Sequence, residues 1–450
     1  MLKNIVRSEL GSALLTVLVL SLIISGLILT LLSGSLIQRR SILYSQDKLL
    51  ARYAAESGVE EILASLHQNY NGIGFAPKTQ QSTLQTGSHV EQSIRRWGAF
   101  LHLKSVARSH RAEYEISVSV GLHGEKFLSN GLIVNPAYPE LLVTGQTRIV
   151  GDAAVGLKGV KSANTRGIPY TGDRLVYGTI TRSREDKRPV IDYEQVQSLF
   201  TYFDQQFRLP KRSFQEFVIG DSLVQLPDWP EEVPIVEVTA EELNREDWQI
   251  RGALTLVCND TLIITSKVFL GRYVTLLTKG LLQLSANVQV DEAILYASEG
   301  LRLHDVRNSR GQFFSRGNVE IINSKLSYPS CSLVWSDAEE ARIILSAGTT
   351  IKGSVYLLTV RNLPVPRTLR GKLIIDEDAI LIGLAFSDNL CELKGEVNGS
   401  VITDRFHFYY SPTEYYNRIM DGRIQRSKLK HLELPLFFKD SGRLTVMETR

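Results

Sequence analysis

The sequence predicts a mainly β protein carried on one N-terminal transmembrane α-helix. Three observations lead there. The run from Leu10 to Gln38 carries no charge, and an amphipathic pattern continues it to about His67. From Leu141 to Ile402 the chain then breaks into many short apolar runs separated by glycine or small polar residues. Helical stretches long enough for repeated crossovers are missing between Gly252 and Thr403, which disfavours a parallel α/β sheet.

At the N-terminus, LGSALLTVLVLSLIISGLILTLLSGSLIQ rises about 1.5 Å per residue as a helix, enough to cover a hydrocarbon core of about 30 Å with excess for tilt. Ser21, Ser25 and Ser33 can return their hydroxyls to carbonyls one turn back, so they do not oppose insertion. Lys3 and Arg7 precede the run and Arg39 and Arg40 follow it, so charge alone leaves the orientation open. The stretch is longer than a typical signal peptide and lacks a clear small-x-small exit, so a retained anchor is expected. Beyond it, Ile42, Leu49, Leu50, Tyr53, Ala54, Val59, Ile62, Leu63 and Leu66 recur at helical spacing and predict an amphipathic stem. Packing of that stem on its own domain and packing on other subunits are both open readings. Gly58 suits a close approach in either case.

Gly11-Ser12-Ala13-Leu14-Leu15 opening the apolar helix, and Tyr53-Ala54-Ala55-Glu56-Ser57-Gly58-Val59-Glu60 closing it, resemble the N-terminal region of PilX-type minor pilins and related type IV pilus or pseudopilus components. The resemblance covers about the first 70 residues. It implies an inner-membrane protein with a large extracytoplasmic domain, assembly through Ala54, Ala55, Glu56, Gly58 and Glu60, and a prepilin-peptidase cut between Gly11 and Ser12. Thr16 stands where major pilins carry glutamate, which argues against a major structural subunit.

The soluble part divides in order. After a leader and transmembrane helix at 1–37 and a stem at 38–70, a small β-containing linker is expected over 71–139. It starts with a loop from Gly72 to Gly87 and contains the alternating strand EYEISVSV at Glu113 to Val120. The short strands of 140–405 fit a single-stranded parallel β-helix, with a β-sandwich as the competing architecture. A helical insertion is expected near 190–247, with one helix over Tyr193 to Phe203 and a shorter one over Ala240 to Asn244, started by Thr239. The segment 406–450 is expected to cap the body or to dock, with Phe406, Phe408, Tyr409 and Tyr410 as the docking candidates.

Composition excludes more than it assigns. The 450 residues suit more than one structural unit, and a formal charge of +3 offers no field for nucleic acid. Cys258, Cys331 and Cys391 are too far apart for a zinc knuckle, and export would leave room for one disulfide. No phosphate loop, HExxH or GxSxG in a hydrolase context occurs. Asp291, Glu292, His304 and Asp305 are expected as solvated turn residues, with Asp186, Asp192, Asp404 and His407 weaker as site candidates. The basic run from Arg423 through Arg426, Lys428 and Lys430 to His431 is expected as surface. The expectation is a non-enzymatic, cofactor-free component whose partners are the bilayer, pilin-like or secretion-filament subunits, and an extracellular glycan or protein. The alternative is an anchored β-helical protein that binds or cleaves polysaccharide.

Overall fold

In a computed structural model the described residues are 2–66, 73–75, 77–83, 87–125, 128–220, 222–230, 232–338, 340–360, 371–429, 432–439 and 444–449. One unbroken helix, α1 (Leu2–Leu66), joins the transmembrane run to the stem. Its 65 residues extend about 100 Å at 1.5 Å each. Arg39 and Arg40 interrupt the apolar surface but not the helix, since both are good helix formers.

An antiparallel sheet follows, built from Lys78–Thr83, His89–Trp97, Phe100–Ser109 and Ala112–His123 in chain order. The first of these replaces part of the loop expected over 72–87. Its sequence KTQQST is polar because it is an exposed edge strand. The far side of Ala112–His123 is completed by Glu433–Leu434 and Leu444–Thr449 from the C-terminus.

The large body is mostly parallel, where a β-sandwich would pair its strands antiparallel. Strands repeat at offsets of about 18–23 residues over most of the stack, with 30 and 16 at its later rungs, and one inward column reads Val236, Leu256, Leu276, Leu295, Phe313, Ser332, Val355, Ala385 and Val401. The column then continues through Leu132 and Ala153, residues from much earlier in the chain. Leu132–Val134 therefore belongs to this body, although it lies within the expected linker range. Neighbouring residues on the same strands point outward, in the column Val257, Leu277, Tyr296, Phe314, Leu333, Tyr356, Phe386 and Ile402. Both columns are buried, which is why these strands read as apolar runs rather than as alternation. Leu175 to Tyr177, one of the short apolar runs of the sequence, contributes a bridge between Tyr177 and Val150 rather than a strand.

A second helix, α2 (Tyr193–Gln206), covers the outward column, its start capped by Asp192. Val196, Leu199, Phe200 and Phe203 form its buried face, as their spacing predicts. Tyr193 bonds Asp388 at 2.7 Å, Phe200 meets Trp335 and Phe314 at centroid distances of 5.3 and 6.2 Å, and Phe207 lies 6.3 Å from Tyr296. The helix thus runs along the stack against the direction of winding. It returns the chain from the last rung, which holds Ile180–Arg182, to the first, which holds Arg212–Ser213. The short helix α3 (Ala240–Arg245) sits at that first rung, capped by Thr239 as expected.

The antiparallel sheet docks on the same outer face. Arg95 lies 4.3 Å from the Trp229 ring and 4.5 Å from that of Tyr273, and it donates to the Asp228 carbonyl at 2.9 Å. Gln312 accepts from Ala99 N at 2.7 Å and donates to the Trp97 carbonyl at 3.1 Å. Burial pushes the neighbouring Arg96 down to about 10, and its guanidinium donates to the Gln195 side chain at 2.6 Å.

Candidate functional site

The functional features are surfaces, and α1 supplies the largest. From Leu14 onward its apolar side chains are bare, Leu31 at 72 % and Leu14 at 70 % exposure, with no protein cover through Ile37. A row of that length can be stable only in lipid or against other apolar helices. Gly11 and Ser12 lie within α1.

Below the span the helix is seated on its own sheet. Ala51, Ala54, Ala55, Val59, Ile62 and Leu66 are buried against the antiparallel strands. A Cβ on Gly58 would lie 2.5 Å from Ser105 Oγ and 2.8 Å from Val90 Cγ1, so the helix touches the sheet there. Gln92 Nε2 donates to the Gly58 carbonyl at 3.1 Å and to Glu61 at 2.8 Å. The small residues of the Ala54 to Glu60 element thus serve an intramolecular seat. Glu56 pairs with Arg52 at 2.8 Å, and Glu60 is exposed. At about 100° per residue, Ile42, Leu49 and Tyr53 lie on the side away from that seat, and all three are exposed. The stem therefore has two apolar faces, one docked and one open.

The docking candidates separate. Phe406 and Phe408 are both buried on the strand Glu396–Tyr410, Phe406 within the inward core. Tyr409 and Tyr410 project at 48 % and 45 % exposure, followed on the hairpin partner Thr413–Tyr416 by Tyr416 at 38 %. Outside α1 these are the exposed large aromatics among the described residues. Arg166 lies 4.9 Å from the Tyr410 ring and donates to the Ser411 carbonyl at 2.6 Å, fixing the hairpin.

The acidic candidates are structural. Asp291 and Glu292 both meet Arg310, at 2.7 and 3.1 Å, and Glu292 also meets Arg272 at 3.1 Å. His304 pairs with Asp305 at 2.9 Å. Asp186 and Asp404 flank Arg188 at 2.7 and 3.2 Å on the wall of a cleft of about 590 Å³ beside the start of α2. In that cleft Asp388 accepts from Tyr193 and from the Thr359 backbone and hydroxyl, so it holds segments together. His407 is fully buried between Glu392 at 3.4 Å and Glu414 at 3.7 Å. The described residues contain no cluster of three or more His, Cys, Asp or Glu suited to a metal. All three cysteines are free and buried, and burial raises the thiol of Cys331 to about 12. Lys430 and His431 lie outside the described residues.

No family model matches the chain, and no curated protein matches it. Among solved structures, the crystal structure of the competence-associated pilin ComZ from Thermus thermophilus aligns over 90 % of this chain and 97 % of its own. The identity is 12 % and the TM-score 0.25, an overlap that fixes neither fold nor function.

Proposed function

We propose that this chain is a minor pilin-like or pseudopilin-like structural component, anchored in a bacterial inner membrane by α1 and holding its β body outside the cytoplasm. The carrying observation is the continuity of α1: a bare apolar span runs without a break into a stem whose lower part is seated on the sheet and whose other face is open. Such a helix can leave lipid and pack beside others while the body stays attached. In this reading the in-register parallel body is a single-stranded β-helix that acts as a rigid presented surface, without catalysis or cofactor. The chain divides in this reading at 1–37, 38–70, 71–139, 140–405 and 406–450, except that Leu132–Val134 joins the body and the last segment is shared between body and small sheet.

Membrane fractionation, N-terminal sequencing and proximity crosslinking test this together. The expected result is a detergent-requiring protein whose mature chain starts at Ser12 and crosslinks to pilus or secretion-filament subunits through positions such as Leu49. Crosslinking confined to unrelated envelope proteins overturns the assembly reading.

The exposed tyrosines of the hairpin favour a second reading, capture of an extracellular glycan or protein, since aromatic side chains bury large areas at little entropic cost. Loss of target binding in Tyr409→Ala/Tyr410→Ala, with thermal stability unchanged, is its expected signature.

A further inference from the structure

The parallel body has two open ends of opposite charge. At the first rung, the described residues of 211–247 hold eight acidic side chains against three basic ones. At the last rung, residues 156–188 hold eight basic against three acidic. Glu241 and Asp247 at one end, and Arg174, Arg182 and Arg184 at the other, are exposed and make no ion pair among the described residues. The terminal strands each pair on one side only, Arg212–Ser213 with Ile235–Glu237 and Ile180–Arg182 with Ala153–Val155.

We propose that copies of this chain bind each other end to end, the basic last rung of one molecule seated on the acidic first rung of the next. Charge decides the arrangement. A two-fold contact would set like ends together and repel, whereas a head-to-tail contact sets eight basic side chains opposite eight acidic ones among the described residues. Strand direction agrees on the face that holds Arg212–Ser213 and Ile180–Arg182, where both join the stack by parallel pairing, so a copy translated along the stack axis presents that face in the same sense. On a neighbouring face of the first rung the antiparallel Val218–Ile219 covers Leu223–Gln225, and the contact there is through side chains. Such a contact does not close on itself and propagates as a line. It involves neither α1 nor the stem, so it goes beyond helix-mediated assembly.

The test uses the full chain in detergent micelles, with self-association followed by sedimentation at low and high salt. Wild type is expected to weaken about tenfold or more on raising salt, because the opposed charges are exposed and screened. Arg182→Glu/Arg184→Glu and Glu241→Lys/Asp247→Lys are each expected to abolish the salt-sensitive association. An equimolar mixture of the two, or all four changes in one chain, is expected to restore it. Should a reversal unfold the protein, the milder Arg184→Gln and Asp247→Asn are expected to give partial loss at unchanged thermal stability. Association that is insensitive to salt and equal in every variant overturns the end-to-end contact while leaving helix-mediated assembly intact. A chain that stays monomeric at low salt overturns it too.

Discussion

Gly353, Gly383 and Gly399 stand in register on successive rungs, with φ of 148°, 149° and 158°. A Cβ on Gly383 would lie 1.7 Å from the carbonyl oxygen of Gly353, and one on Gly399 would lie 1.9 Å from that of Gly383. The glycines are therefore required both by backbone conformation and by the approach of one rung to the next. Gly383→Ala is expected to destabilise by at least about 2 kcal/mol, read as a lower denaturant midpoint. A second prediction concerns Glu392. Burial opposes its charge, but hydrogen bonds from His407 and Lys394, with the nearby Lys394 charge, outweigh burial and hold the carboxyl below its ordinary 4.5. Its contribution is thus complete above pH 4.5 and is lost as pH falls through the lowered native value. The thermal midpoint of wild type is expected to drop more steeply below that pH than the midpoint of Glu392→Gln.

At the scale of elements, α2 is the strut that links the two ends of the stack. Phe200 is fully buried against Tyr296, Phe314 and Trp335, so Phe200→Ala is expected to cost about 3–5 kcal/mol in chemical denaturation. The buried face of α2 was legible in the sequence because Val196, Leu199, Phe200 and Phe203 share one helical side, although the helix runs on to Gln206, past the expected end at Phe203. The continuity of α1 was legible for the same reason, and the short strands showed as glycine-bounded apolar runs. What the helix covers was not legible, since strands buried on both faces carry no mark of which neighbour lies on which side. The strand Lys78–Thr83 was missed because an exposed edge needs no apolar side chains, so KTQQST reads as loop. Phe406 and Phe408 look like surface anchors in a run of five aromatic or histidine residues. The body covers both faces of the strand through Phe408, with His407 buried between the two phenylalanines, and only the strand's end carries Tyr409 and Tyr410 beyond that cover, one on each face.

On the scale of the whole molecule, the C-terminus finishes the sheet that seats the stem. Leu444–Thr449 pairs along Ala112–His123, and Phe437 and Phe438 pack near Tyr356. Removal of residues 432–450 is expected to expose the stem seat and to make the strands of 89–123 accessible to protease, while much of the parallel body resists digestion. The rung formed by Leu132–Val134 rests on Val401 to Thr403, which the ribosome makes more than half a chain later. An N-terminal part that has emerged must therefore wait without its underlying layer until synthesis is nearly complete. A nascent chain stalled before residue 401 would present that unpaired edge to folding helpers and proteases, which makes completion of translation itself a checkpoint for the finished body.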